Sequence, residues 1–150
     1  MLRSSLPDAD IAMVPDPRLV PAASPAATPA LSGAAIRAFT NIATLWRLSL
    51  EEQLALLGDP PRSTFYKWKK DPDAAHLGRD TLERISYLLG IYKSLQILLP
   101  DPAAADAWVR KPNDALPFGG RSALDRMLSG NVSDLFVVRQ YLDAMRGGWA

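Results

Sequence analysis

Leu50-Glu51-Glu52-Gln53-Leu54-Ala55-Leu56-Leu57-Gly58-Asp59-Pro60-Pro61-Arg62-Ser63-Thr64-Phe65-Tyr66-Lys67-Trp68-Lys69-Lys70 is the stretch whose reading decides the fold. Ser49 precedes it, and Ser49 with Glu52 has the spacing of a capping box: the hydroxyl accepts from the Glu52 backbone while the carboxylate reaches back. Leu50, Leu54 and Leu57 line one face of the short helix that follows. Gly58 stops that helix, because glycine takes the left-handed conformation a helix end requires. Pro60-Pro61 enforces a turn. A second helix is predicted from about Arg62 to Lys70, with Pro72 ending it.

The second helix has two chemically distinct faces. At about 100° per residue, Phe65 and Trp68 fall together, and Ser63, Tyr66, Lys67 and Lys70 fall opposite. From Arg62 to Lys70 there are four basic residues and no acid. The aromatics would anchor the helix in a core. Arg62, Ser63, Tyr66, Lys67 and Lys70 would then be offered to phosphates and groove edges, in the outline of a helix-turn-helix. The other reading of this face is a solvated lysine stripe on an ordinary amphipathic helix.

Outward from this core the chain reads as helices. Ser32 is the expected N-cap of a helix to about Leu48, with Ile36, Phe39, Ile42, Ala43 and Trp46 as its apolar stripe. Another runs from Asp80 or Thr81 to about Leu98, with Leu82, Ile85, Leu89 and Tyr92 facing inward. Pro100-Asp101-Pro102 closes this first module. Three shorter helices follow near 103–110, 122–128 and 133–146, with a Pro/Gly-rich loop at 112–120. Residues 1–31 hold six prolines (Pro7, Pro15, Pro17, Pro21, Pro25 and Pro29) and are expected to form a disordered Pro/Ala-rich arm. The expected fold is all-α: the arm at 1–31, a helix-turn-helix DNA-binding domain at 32–100 and a small helical module at 101–150.

Composition removes most catalytic chemistries. The chain of 150 residues has no cysteine and one histidine, His76, which excludes thiolate nucleophiles, disulfides and a multi-histidine metal site within one chain. Glu51/Glu52 belong to a capping turn, Asp71/Asp73 to a proline loop and Asp8/Asp10 to the arm. Gly119-Gly120 lacks the lysine and hydroxyl of a phosphate loop. No enzyme activity, cofactor or metal is expected. A net charge of +1 means that DNA binding must come from local clustering and dimerisation. No apolar run is long enough to span a membrane and no signal peptide is read, so a cytoplasmic location is expected.

Three separated segments carry a resemblance. They are Asp106-Ala107-Trp108-Val109-Arg110-Lys111-Pro112-Asn113, Phe118-Gly119-Gly120-Arg121-Ser122-Ala123-Leu124-Asp125 and Val138-Arg139-Gln140-Tyr141-Leu142-Asp143-Ala144-Met145-Arg146-Gly147-Gly148-Trp149-Ala150. In this order they resemble the toxin-binding domain of Xre/MbcA/ParS-type antitoxins, whose partners are RES-domain toxins. The part that includes Ser63-Thr64-Phe65-Tyr66-Lys67-Trp68-Lys69 looks like the helix-turn-helix half of the same family. Ser122-Ala123 departs from the threonine-proline expected there, although serine still caps a helix. The resemblance implies an antitoxin that neutralises an NAD-consuming toxin by placing C-terminal residues at its active site. It further implies a homodimer that represses its own operon by binding operator DNA.

The C-terminal residues read compatibly with that role. Gly119-Gly120 would let the loop carry Phe118 to a protein surface. Leu135, Val138, Leu142 and Met145 would face inward while Arg139 and Arg146 project. Gly147-Gly148 would free the backbone to approach a partner, with Trp149 as an aromatic anchor or, on the other reading, folded back on its own helices. Trp108 reads as core, and Arg121 has the spacing to pair with Asp125. The competing function is a plain DNA-binding regulator whose C-terminal half only dimerises or senses a ligand.

Overall fold

The computed structural model describes residues 27–147, with side chains from residue 31 onward. Residues 1–26 and 148–150, which include most of the expected arm and both Gly148 and Trp149, lie outside the described residues. Seven α-helices follow one another among the described residues: α1 (Ala27–Leu45), α2 (Leu50–Leu56), α3 (Arg62–Lys70), α4 (Arg79–Leu98), α5 (Pro102–Ala107), α6 (Ala123–Met127) and α7 (Val132–Gly147). Single 3-10 turns cover Pro72–Ala74 and Trp108–Arg110. The β pairing among these residues is one isolated antiparallel bridge, Pro112 to Ser122.

α2 starts as its residues dictate. Ser49 accepts from the Glu52 N–H at 3.1 Å, and Glu52 accepts from the Ser49 N–H at 2.9 Å. α3 is bracketed by prolines and anchored by Phe65, which is fully buried and meets Phe39 of α1 edge-on at 6.4 Å. Truncating such a side chain costs about 3–5 kcal/mol, so α3 is fixed to α1 through this ring pair. The turn between α2 and α3 passes through Gly58 (φ 89°). Arg84 of α4, buried and held by Asp80 at 2.8 Å, lies directly beneath it: a Cβ on Gly58 would come within 3.0 Å of the Arg84 Nε.

α4 is the shared spine, packing against α1, α5 and α7. Its deepest residues are Ile85, Leu88, Ile91 and Leu95; of the expected inward set, Leu82, Leu89 and Tyr92 are half-buried against the core. α7 contributes Leu135, Val138 and Leu142. Met145 does not complete the stripe as expected: it is 54% exposed, and the buried stripe of α7 ends at Leu142.

The first helix also departs from expectation. α1 already includes Ala27–Leu31, so Ser32 lies inside the helix and is not its N-cap. Alanine at 27, 30, 34 and 35 supports helix strongly, and Pro29 falls in the first described turn, where a missing N–H is tolerated. Fully buried Ser32 accepts from the Leu77 N–H at 3.0 Å across 45 residues. It therefore satisfies a loop amide just before α4. Replacing Ser32 with alanine leaves that amide unpaired, at about 1–3 kcal/mol. A melting temperature lowered by about 3–10 °C is expected by calorimetry, with helical content unchanged.

Candidate functional site

The five α3 residues singled out from sequence all stand on the protein surface. Ser63, Tyr66, Lys67 and Lys70 are exposed on one side of α3, and Tyr66 is 51% accessible. Lys67 and Lys70 form no ion pair among the described residues. Arg62 differs: it pairs with Glu51 of α2 at 2.5 Å, both side chains being largely exposed. The Glu51 carboxylate holds the Arg62 guanidinium above its ordinary range. Arg62 thus ties the helix-turn-helix together as well as lying beside its outer face.

The C-terminal candidates do not form one patch. The loop 112–121 is built tightly: Asn113 N–H donates to the Arg121 carbonyl at 3.0 Å, Gly120 N–H to the Asn113 carbonyl at 2.8 Å, and Arg126 to the Pro117 carbonyl at 2.6 Å. This loop does not carry Phe118 to the surface. Phe118 is 5% exposed and packs edge-on against Tyr141 at 5.1 Å and Trp108 at 5.9 Å. Burial of its ring in that aromatic cluster outweighs the permissive glycines beside it. The residue the loop does present is Leu116, 98% exposed, which sequence reasoning passed over. Arg121 is also exposed, 3.8 Å from Asp125.

Arg139 and Arg146 lie on the other side of α7, along α4. Arg139 pairs with Asp143 at 3.1 Å and crosses Gly90, its guanidinium filling the space a Cβ there would occupy. Arg146 donates to the Ser94 hydroxyl at 3.3 Å and is exposed beyond it. Gly147 is the last residue of α7. Arg139 and Tyr141 are about 200° apart around the helix, so α7 separates the loop surface from the arginine surface.

One further residue, missed from sequence, joins the halves. Arg110 donates from Nε to the Trp46 carbonyl at 3.1 Å and from Nη2 to the Arg47 carbonyl at 2.7 Å. Its Nη2 also pairs with Glu52 at 2.9 Å. One guanidinium from the C-terminal half therefore caps the end of α1 and engages the capping box of α2. Its partners are about sixty residues distant in sequence, so no local pattern announces it.

These features define a two-surface binding protein: a helix-turn-helix bundle with a cationic recognition helix, clamped to a helical partner-binding module. Comparison with known proteins agrees. Residues 25–90 match the antitoxin Xre-like helix-turn-helix domain, and residues 94–148 match the antitoxin Xre/MbcA/ParS C-terminal toxin-binding domain. The uncharacterized protein y4oB of Sinorhizobium fredii (strain NBRC 101917 / NGR234) is 51% identical over 147 residues, covering 98% of this chain and 97% of that protein. The chain belongs to the Xre/MbcA/ParS-type antitoxins, and its two halves are a DNA-binding and a toxin-binding domain. The two matched domains meet inside α4, between residues 90 and 94. No helix among the described residues is long and apolar enough to cross a membrane.

The clamp has an acid-sensitive member. Burial alone would raise the Glu52 carboxyl, but hydrogen bonds from Arg110 and the Ser49 backbone outweigh it and hold the group below its usual 4.5. A depressed folded value means that the stabilisation is present above the unfolded value and lost as pH falls through the folded one. Glu52→Gln keeps the capping-box geometry and removes the charge. The variant should melt below wild type at neutral pH by the equivalent of about 1 kcal/mol, a figure reduced for solvent screening. That gap should close as the pH falls below the usual carboxylate range in a series of thermal melts.

Proposed function

We propose that this antitoxin neutralises a RES-domain, NAD-degrading toxin by occluding its active site with the residues at the end of α7, and that it represses its own operon through α3 as a cytoplasmic homodimer. The observation that carries the reading is the position of Arg146. It lies on the exposed last turn of a helix whose earlier turns are fixed in the core by Leu135, Val138 and Leu142. A guanidinium on such a mount is a fitting counter-charge for a site that accepts the phosphates of a dinucleotide.

In this reading the two C-terminal surfaces divide the work. Leu116 and Arg121 on the braced loop supply docking area, with Phe118 holding the loop's shape from beneath. Arg139 and Arg146, followed by Gly147, Gly148 and Trp149, supply the blocking element. On the other half, Lys67, Lys70, Ser63 and Tyr66 contact operator DNA, and Arg62 contributes beside them while bound to Glu51.

Binding and inhibition should then be separable. A chain lacking residues 146–150 should still co-purify with the toxin encoded by the neighbouring gene, with affinity within about tenfold of wild type. It should no longer prevent NAD consumption in a purified assay. Full inhibition by the truncated chain would exclude occlusion.

A further inference from the structure

We propose that Arg47, together with Lys69, forms a second binding site for a backbone phosphate of DNA, in the cleft where the end of α1 meets α2 and α3. The inference rests on the DNA-binding role of the helix-turn-helix half and adds a site that the outer face of α3 does not contain.

The first observation is a contrast between two helix ends. At the end of α1, Leu48 N–H donates to the Ala43 carbonyl at 2.9 Å and Arg47 N–H to the Thr44 carbonyl at 3.1 Å. At the end of α2, Asp59 N–H donates to the Leu54 carbonyl at 2.7 Å and Gly58 N–H to the Ala55 carbonyl at 3.2 Å. The closures are the same, and each needs a left-handed residue at its corner. α2 uses Gly58 at φ 89°, and α1 uses Arg47 at φ 55°. Glycine takes this conformation without steric cost, whereas any larger L-residue is strained in it. Arginine is thus held where the backbone favours glycine, and strain of this kind concentrates at functional sites.

Charge gives the strained residue its use. Arg37, Arg62 and Arg84 in the same half each hold a carboxylate. Arg47 and Lys69 hold none among the described residues. The cleft they line has Ala43 and Leu48 at its base, polar walls from Thr40, Thr44 and Gln53, and no acidic residue. The Thr44 hydroxyl is spent on the Thr40 carbonyl, which leaves the two cations as the principal donors.

The Lys69 ammonium and the Arg47 backbone are both held before any ligand arrives. The Lys69 ammonium lies 5.2 Å from the centre of the buried Phe65 ring. Arg110 grips the Arg47 carbonyl from the toxin-binding half. Lys69 is next to Lys70 and about 100° further round α3, and Arg47 stands two residues before the cap of α2. The cleft therefore borders the recognition helix on its α1–α2 flank, where a groove wall runs when the outer face enters the groove. A diester phosphate carries one negative charge and no donor of its own, which suits a pocket whose two charged groups are both cationic donors.

The test is a fluorescence anisotropy titration of the full chain against a labelled duplex from upstream of its own gene, over a series of salt concentrations. Arg47→Gly and Lys69→Gln should each weaken binding several-fold and flatten the logarithmic salt slope, by up to about 0.9 for loss of the one shared phosphate contact. Arg47→Gly should melt at or above the wild-type temperature, because glycine fits the left-handed corner. A purely structural Arg47 would give the reverse: a lowered melting temperature with an unchanged salt slope, which overturns the proposal. If Lys67→Ala/Lys70→Ala flattens the slope and Arg47→Gly and Lys69→Gln do not, the cleft fails while the DNA-binding reading stands. A wild-type chain with no salt-dependent binding to the duplex overturns both.

Discussion

Arg110 donates to the Trp46 and Arg47 carbonyls, in the turn that follows α1, and to the Glu52 carboxylate at once, and through these bonds the antitoxin's two halves act as a single body. Helix C-terminal carbonyls left without donors are costly when shielded from water. Here the donor for one domain is supplied by the other. The same contact fixes the backbone of Arg47 and the first turn of α2, the element that sets the angle of the recognition helix. α4 reinforces the union along its length, packing α1 and α7 against one spine while Arg84 supports the Gly58 turn. The matched domains meet within that spine, so the boundary between two functions falls inside a continuous helix and not in a linker.

The chemistry of the two surfaces differs accordingly. On the DNA side the apolar side of α3 is spent on Phe39, which leaves cations outward, without an ion pair among the described residues, on a chain of almost neutral charge. Local clustering is what nucleic-acid affinity requires, since released counterions and not net charge set the electrostatic term. On the toxin side the loop has invested its aromatic residue in its own rigidity. Phe118, Trp108 and Tyr141 form one aromatic cluster, and Leu116 is exposed on the loop it braces. A preorganised loop loses little freedom on binding, so more of its contact area is expressed as affinity.

What was legible in the sequence was local. Prolines on either side of α3 delimit it, the Ser49/Glu52 spacing announces the capping box of α2, and Gly58 marks the turn between the two helices. The face of α3 follows from periodicity alone. What was illegible depends on partners far along the chain. Ser32 looks like a helix cap because serine before an apolar stripe usually is one, yet its partner is the Leu77 amide. Phe118 looks exposed because glycines follow it, and only the approach of α7 shows that it is covered. Met145 keeps helical register with Leu142, yet it is exposed where Leu142 is buried. Arg110 has no signature at all, because both of its anchors come from the other domain.

One rigid chain carries two separate binding surfaces, one for DNA and one for toxin. Amide hydrogen exchange of the full chain, followed with toxin bound and separately with operator DNA bound, tests it most directly. Toxin should protect the loop at 113–121 and the last turn of α7, and DNA should protect α3 and the corner at 46–49, with no overlap between the two sets. Toxin-induced protection centred on α3, or DNA-induced protection of the 113–121 loop, would contradict it.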